Sequence, residues 1–156
     1  MIADGDTTTL KALAQEVFED EDWNVDEWFS FSEMSRQIEL NRGACFRAVS
    51  ETDELLGYIY GQQESPINGV EGIQKWVIVI TAVSSDISGQ GIGGMLLTEL
   101  EKYAASQGAM KMFVYTNQGD ARVINFYIKN GYSKAGTIKE YQYGHNNAAD
   151  FLLKYL

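Results

Sequence analysis

The stretch "SSDISGQGIGGMLL", Ser84 to Leu97, gathers Gly89, Gly91, Gly93 and Gly94 just ahead of an apolar helical pattern. Glycines between a strand and a helix leave backbone N–H groups at the positive end of the helix dipole and remove the Cβ atoms that would keep an anion away. The chemistry offered is anion binding, and the question is which phosphate. A Walker A loop ends in Gly-Lys-Ser/Thr, whereas Gly94 is followed by Met95 and Leu96, so nucleotide triphosphate hydrolysis is not expected. Gly89, Gly91 and Gly94 also spell G-x-G-x-x-G, the nominal dinucleotide fingerprint. That motif needs alternating strands and helices and an acid about 20 residues onward, at the end of the next strand. The next strand ends at Thr116-Asn117 without an acid, and the strands upstream follow one another directly, so the match reads as accidental.

Other reactive residue types are sparse. Cys45 is the only cysteine and His145 the only histidine, which excludes an intrachain disulfide framework and leaves no ligand set for a metal. Cys45 falls in a strand-like run and reads as core. The formal net charge of −10 argues against nucleic acid, whose phosphates are bound by clustered Lys and Arg. It favours a cationic small molecule, or serves solubility alone, and the sequence leaves both open. With 156 residues, 45% apolar and 22% charged, the chain is expected to be one folded domain over residues 1–156. No apolar run approaches the ~18 residues of a membrane span and the N-terminus lacks the order of a signal peptide, so a cytoplasmic protein is expected.

The elements that position the glycine loop follow from periodicity. Leu10, Leu13, Val17 and Phe18 share one face of a helix over Thr9 to Phe18 that ends near Asp20-Glu21-Asp22. A second helical pattern runs through Phe31, Met34 and Ile38, with Gly43 as its expected C′ residue. "ACFRAVS" and "LLGYIYG", joined by a polar turn, read as an antiparallel hairpin. A loop from Gln62 with the only proline, Pro66, leads to "KWVIVITAV", an apolar run expected to be a central strand buried on both faces. The glycine loop and a helix with Leu96, Leu97, Leu100, Tyr103 and Ala104 inward come next. Then follow the strand "KMFVYT", a helix "DARVINFYIKN" with Asp120 as N-cap and Gly131 as stop, and strands "YSKAGTI" and "DFLLKYL" joined by a long loop from Lys139 to Ala148.

Taken together, "TAVSSDISGQGIGGMLLTELEKYA" and "VINFYIKNGY" resemble the GNAT superfamily of N-acetyltransferases. In that family Q/R-x-x-G-x-G/A follows the central strand and a helix containing F-Y precedes G-Y or G-F. The resemblance extends over nearly the whole chain and implies an α/β fold of the α+β type, with a mixed, mostly antiparallel central sheet flanked by helices. It implies acetyl-CoA as cosubstrate, its pyrophosphate on the amides of the loop. The cofactor residues it implies are Ala82, Val83, Ser88, Gly89, Gln90, Gly91, Ile92, Gly93 and Gly94, with Asp120 and Tyr127 on the later helix. Three features depart from the family pattern. Ser88 stands at the Q/R position, so the contact of a long side chain is lost there while the backbone cradle is kept. Asp120 stands where Asn often begins the F-Y helix. Only Met1-Ile2-Ala3 precede a turn-like Asp4-Gly5-Asp6, so the family's opening strand is expected to be very short or cropped.

Acetyl transfer to an amine wants a base for the ammonium proton and an acid for the departing thiolate. By resemblance Tyr127 is the acid, although Val123, Ile124, Tyr127 and Ile128 also share one helical face, as core residues would. "KWVIVITAV" carries no acid, so the base is assigned to Glu64, at the end of the third strand. Glu71, in the following loop, and His145 are the alternatives. A covalent route through Cys45 has no neighbour in sequence to activate the thiol. "EDEDWNVDEWFSFSE" sets Trp23, Trp28, Phe29 and Phe31 among carboxylates, a mixture suited to a cationic amine and equally to core or a homodimer surface. The expected function is acetyl transfer to a small primary amine. A protein N-terminus or lysine as acceptor, or a non-catalytic acyl-CoA binding domain, are the alternatives.

Overall fold

The structure is a computed structural model that describes residues 4–18, 24–64, 74–141 and 148–156, with side chains from Thr7 onward. Among the described residues four α-helices, α1 (Asp4–Phe18), α2 (Phe31–Glu39), α3 (Ile92–Ser106) and α4 (Ala121–Lys129), accompany six strands. The strands are β1 (Gly43–Val49), β2 (Leu55–Gln63), β3 (Lys75–Val83), β4 (Lys111–Asn117), β5 (Ser133–Ile138) and β6 (Ala149–Tyr155), hydrogen-bonded in the order β1-β2-β3-β4-β6-β5. Among the described residues no helix is long and apolar enough to cross a membrane. The chain divides into two compact units, Met1–Gln62 with Val79–Tyr103, and Gln63–Ile78 with Ala104–Leu156.

The first unit is built on the apolar face of α1. Leu10, Leu13 and Ala14 are buried with Val25, Phe29 and Met34 against Tyr58, Tyr60, Ile80 and Ala82 of the sheet, and Val17 and Phe18 pack at the margin. Each such side chain contributes about 1.5–3 kcal/mol on burial. α1 starts at Asp4, so the expected turn at Asp4-Gly5-Asp6 is instead its first turn. A glycine there costs only about 1 kcal/mol, less than burial of the following face returns. The acidic triplet Asp20-Glu21-Asp22 and the opening Met1-Ile2-Ala3 lie outside the described residues. α2 is capped by Ser30, whose Oγ accepts from Glu33 N–H.

α2 also ends differently from expectation: Asn41, not Gly43, takes the left-handed conformation, with φ of 56°. Asn tolerates that region because its short polar side chain bonds locally. Gly43 opens β1, where a Cβ would meet the Tyr60 ring at 2.9 Å. β1 and β2 form the expected antiparallel hairpin, with Gly43 opposite Gln62 and Ala48 opposite Gly57. β3 alternates buried and half-buried residues instead of being buried on both faces. At Gly57 a Cβ would come within 3.0 Å of Ala82 O, 3.2 Å of Val83 Cγ2 and 3.4 Å of Leu96 Cδ1. Glycine there lets β2 approach the end of β3 and seats the first turns of α3.

In the second unit, β3 pairs in parallel with β4 over Lys75, Trp76 and Val77. β6 lies between β4 and β5, antiparallel to both, so the last two strands form the expected hairpin while β6 also fills the gap beside β4. Asp150 on β6 is 1% exposed. Its Oδ2 accepts from Gly119 N–H at 3.1 Å, and its Oδ1 from the Thr137 hydroxyl and from Lys134 Nζ at 2.9 Å. The bonds from Thr137, then Lys134 and then Gly119 hold this carboxyl at about 2, against burial, which pushes it upward.

Two consequences are measurable. Gly57→Ala forces β2 off β3 and is expected to cost about 1–3 kcal/mol, read from the urea midpoint; an unmoved midpoint contradicts the close approach. Asp150 has a folded pKa below its ordinary value of 3.8, so its contribution is complete above that value and is lost as pH falls toward about 2. The Tm gap between wild type and Asp150→Asn is therefore expected to narrow from about pH 4 to about pH 2.5. A gap of constant size contradicts the charged network.

Candidate functional site

In the first unit the end of β3 feeds the glycine loop. Ser84 N–H donates to Leu56 O of β2 at 3.0 Å, so by the alternation of a strand the N–H and C=O of Val83 point to the opposite edge. Ala82 is fully buried in the α1 core cluster. The Ser84 hydroxyl donates to Glu16 of α1 at 3.1 Å, tying the start of the loop to that helix. A single 3-10 turn, Ser85–Ile87, follows, with Ser88 N–H on Ser85 O at 3.3 Å and Gln90 N–H on Ile87 O at 3.4 Å.

Gly89 and Gly91 then take φ of 87° and 86°, a region other residues enter only with strain, and a Cβ on either would point into open space. Gly91 O accepts from Met95 N–H at 3.1 Å, which makes Gly91 the N-cap of α3. A glycine brings no side chain to satisfy the helix start. The amides of Ile92, Gly93 and Gly94 form the first turn, where no intrahelical carbonyl precedes them. Ser88 to Gly91 are exposed, while Ile92, Leu96, Leu97 and Leu100 are buried and hold the helix in place. An exposed glycine loop at the positive end of a helix dipole is an arrangement that can hold an anion. The dinucleotide alternative lacks its frame, because β1, β2 and β3 neighbour one another in the sheet in sequence order and, among the described residues, no α-helix stands between them.

In the second unit the turn after β4 is closed by bonds. Gln118 N–H donates to Ala148 O at 2.9 Å, Gly119 N–H to Asp150, and Asp120 N–H to Asn117 O at 3.1 Å. Asp120 is the N-cap of α4 as expected, its Oδ1 accepting from Val123 N–H at 3.1 Å. Tyr127 lies two turns along α4, 4% exposed, edge-on to Tyr132 with ring centroids 5.3 Å apart. Its carbonyl accepts from Tyr132 N–H at 3.0 Å, so the "NGY" segment folds back onto the residue it follows. Ile128, expected on the same apolar face, is 49% exposed. Glu64 follows β2, its N–H on Lys75 O at 3.0 Å and its carboxylate 3.6 Å from Lys75 Nζ.

Ala82, Val83 and Ser88 to Gly94 thus lie in the first unit, and in the second Asp120 and Tyr127 belong to α4 while Glu64 pairs with Lys75 after β2. Glu71, His145 and Trp23 lie outside the described residues. Cys45 is half-buried beside the core cluster, not fully within it. Phe29 is core, in ring contact with Phe31 and Tyr60, whereas Trp28 is 40% exposed. Among the described residues no group of three or more His, Cys, Asp or Glu is arranged to hold a metal ion. Asp150 escaped the sequence reading, and its signal was an acid directly before the apolar run Phe151-Leu152-Leu153, which must find donors when buried.

Comparison with known proteins gives these features a family. The fold is similar to that of a GNAT-family protein from Desulfovibrio desulfuricans, with TM-score 0.81 at 16% identity over 99% of this chain and 95% of that one. It is also similar to ribosomal-protein-alanine N-acetyltransferase from Brucella melitensis, with TM-score 0.77 at 19% identity over 99% and 97%. An aminoglycoside 6'-N-acetyltransferase complexed with coenzyme A superposes with TM-score 0.72 at 22% identity over 98% and 92%. No curated protein sequence matches the chain. The sequence model of the Acetyltransferase (GNAT) family matches residues 9–132, and the chain, with its glycine loop and its F-Y helix inside that span, belongs to this family of acetyltransferases.

Proposed function

We propose that the chain transfers the acetyl group of acetyl-CoA directly to a primary amine of a small cationic molecule. The observation that carries this reading is the start of α3. α2 and α4 are capped by the side chains of Ser30 and Asp120, while α3 begins on Gly91, which has no side chain to cap its amides. A pyrophosphate fits that opening, since Gly89 and Gly91 leave the space a Cβ would take. In this reading the amides of Gly89, Gly91, Ile92, Gly93 and Gly94 hold the pyrophosphate, while those of Ser88 and Gln90 close the turn that shapes the loop. The end of β3 at Ala82 and Val83 supports the pantetheine arm through the outward backbone groups of Val83. Asp120 serves by fixing α4, which carries Tyr127, the acid of the transfer.

The amine nitrogen attacks the thioester carbonyl, the N–C bond forms and the C–S bond breaks. The ammonium proton leaves beforehand to Glu64, which is exposed enough for water to carry it. Tyr127 gives its phenol proton to the departing thiolate and is restored by the second proton that the nitrogen sheds as the amide forms. The sum is amide, free CoA thiol and one proton released. The net charge of −10 favours a cationic acceptor, as does likeness to an aminoglycoside acetyltransferase. A protein N-terminus or lysine is the second reading, supported by the likeness to a ribosomal-protein-alanine acetyltransferase. The reading takes residues 1–156 as one domain working in the cytoplasm, as a monomer or homodimer.

Thiol release from acetyl-CoA is expected with at least one member of a panel of polyamines, aminoglycosides, amino-acid derivatives and N-terminal peptides. Release with none of them would leave a protein that binds acyl-CoA without catalysis. Tyr127→Phe is expected to lower kcat by roughly 100-fold or more while acetyl-CoA binding stays nearly intact. Unchanged turnover at every pH contradicts its role as the acid.

A further inference from the structure

Asp150 takes no part in the transfer just described, yet it is the buried carboxylate with the most bonds among the described residues. Both oxygens are used, on donors from two places in the chain: Lys134 and Thr137 of β5, and Gly119 in the turn between β4 and α4. The neighbouring grip of Ala148 O on Gln118 N–H means that the start of β6 holds two successive peptides of that turn. Gly119 has φ of 78°, which turns the chain, and the next residue, Asp120, caps α4. An unbroken series of bonds therefore runs from β5 through Asp150 and Gly119 to the first turn of α4.

We propose that Asp150 is a positioning residue for Tyr127: by fixing the β4–α4 turn against β5, it sets the origin and tilt of α4 and hence where the phenol of Tyr127 lies. The inference rests on the assignment of Tyr127 as the acid. Tyr127 follows Asp120 by seven residues, about 10 Å along the helix axis, so a small tilt at the turn becomes a displacement at the ring. A misplacement of about 1 Å at a reacting group can cost on the order of 100-fold in rate. A solvent-exposed ion pair at this place would contribute little, but Asp150 is 1% exposed and bonded on both oxygens. Its partners are each held in turn by the strand or turn that carries them, so loosening Asp150 loosens the helix start without touching the α4 side chains themselves.

The test uses the full chain as wild type, Asp150→Asn, Tyr127→Phe and the double variant. Thiol release from acetyl-CoA is followed with hydroxylamine, which is largely unprotonated at neutral pH and needs neither the acceptor pocket nor a base. Asp150→Asn is expected to lower kcat about tenfold, with KM for acetyl-CoA within about twofold, and to have no further effect once Tyr127 is Phe. In parallel, tyrosine labelled with carbon-13 at the ring ζ position is read by NMR, the Tyr127 signal being the one lost in Tyr127→Phe. That signal is expected to move in Asp150→Asn, and to move less in Thr137→Val, which removes one donor and keeps the charge. Equal kcat losses in the two backgrounds, or an unmoved Tyr127 signal, overturn the positioning role. Unchanged turnover in Tyr127→Phe, or no catalysed release by wild type, overturns it through the reading beneath, and the NMR arm tells the two failures apart.

Discussion

A helix begins with amides that have no carbonyl behind them, and what a protein does with those amides is a choice written in the residue at the cap. Here α2 and α4 close theirs with Ser30 and Asp120, and α3 opens on Gly91. The choice depends on the surrounding structure. β3 must deliver the chain to the loop, Gly57 must let β2 and α3 approach that strand, and Leu96, Leu97 and Leu100 must anchor the helix so that its first turn stays open. The α1 core cluster supplies the apolar burial that makes this arrangement rigid.

The second β–α junction answers the same problem oppositely. Where α3 leaves its amides for a ligand, the turn before α4 is closed at Gln118, Gly119 and Asp120 by partners on β6, on β4 and within α4 itself. In the proposed reading one junction receives an anion, and the other holds a helix still. This division fits an enzyme that binds its cosubstrate through backbone and acts on it through one side chain, because binding tolerates an exposed loop while proton transfer demands fixed geometry.

Much of this was legible in the sequence because it is local. The apolar faces of α1, α2 and α3, the glycine loop, the Asp120 cap and the final hairpin each follow from spacing within one or two elements. What was not legible depends on distant partners. Asn41 rather than Gly43 ends α2, because Gly43 is needed where the Tyr60 ring crosses it. α1 gains a turn at Asp4 through the burial of its following face, which outweighs the turn signal of Asp4-Gly5-Asp6. The insertion of β6 between β4 and β5, and with it the burial of Asp150, is a choice of strand partner that no local pattern encodes. The general base and the acceptor are chosen by surfaces whose residue types, carboxylates and exposed aromatics, are common to many solvated faces.

The most direct measurement is thermal unfolding of wild type and Gly91→Val with acetyl-CoA and, separately, with NADH. A ligand at 100 times its Kd stabilises the native state by ~2.7 kcal/mol, a readily seen rise in Tm. The open cradle at α3 predicts a rise with acetyl-CoA alone, and none in Gly91→Val, whose circular dichroism stays that of the folded protein. A rise with NADH alone, or an undiminished rise with acetyl-CoA in Gly91→Val, would contradict it.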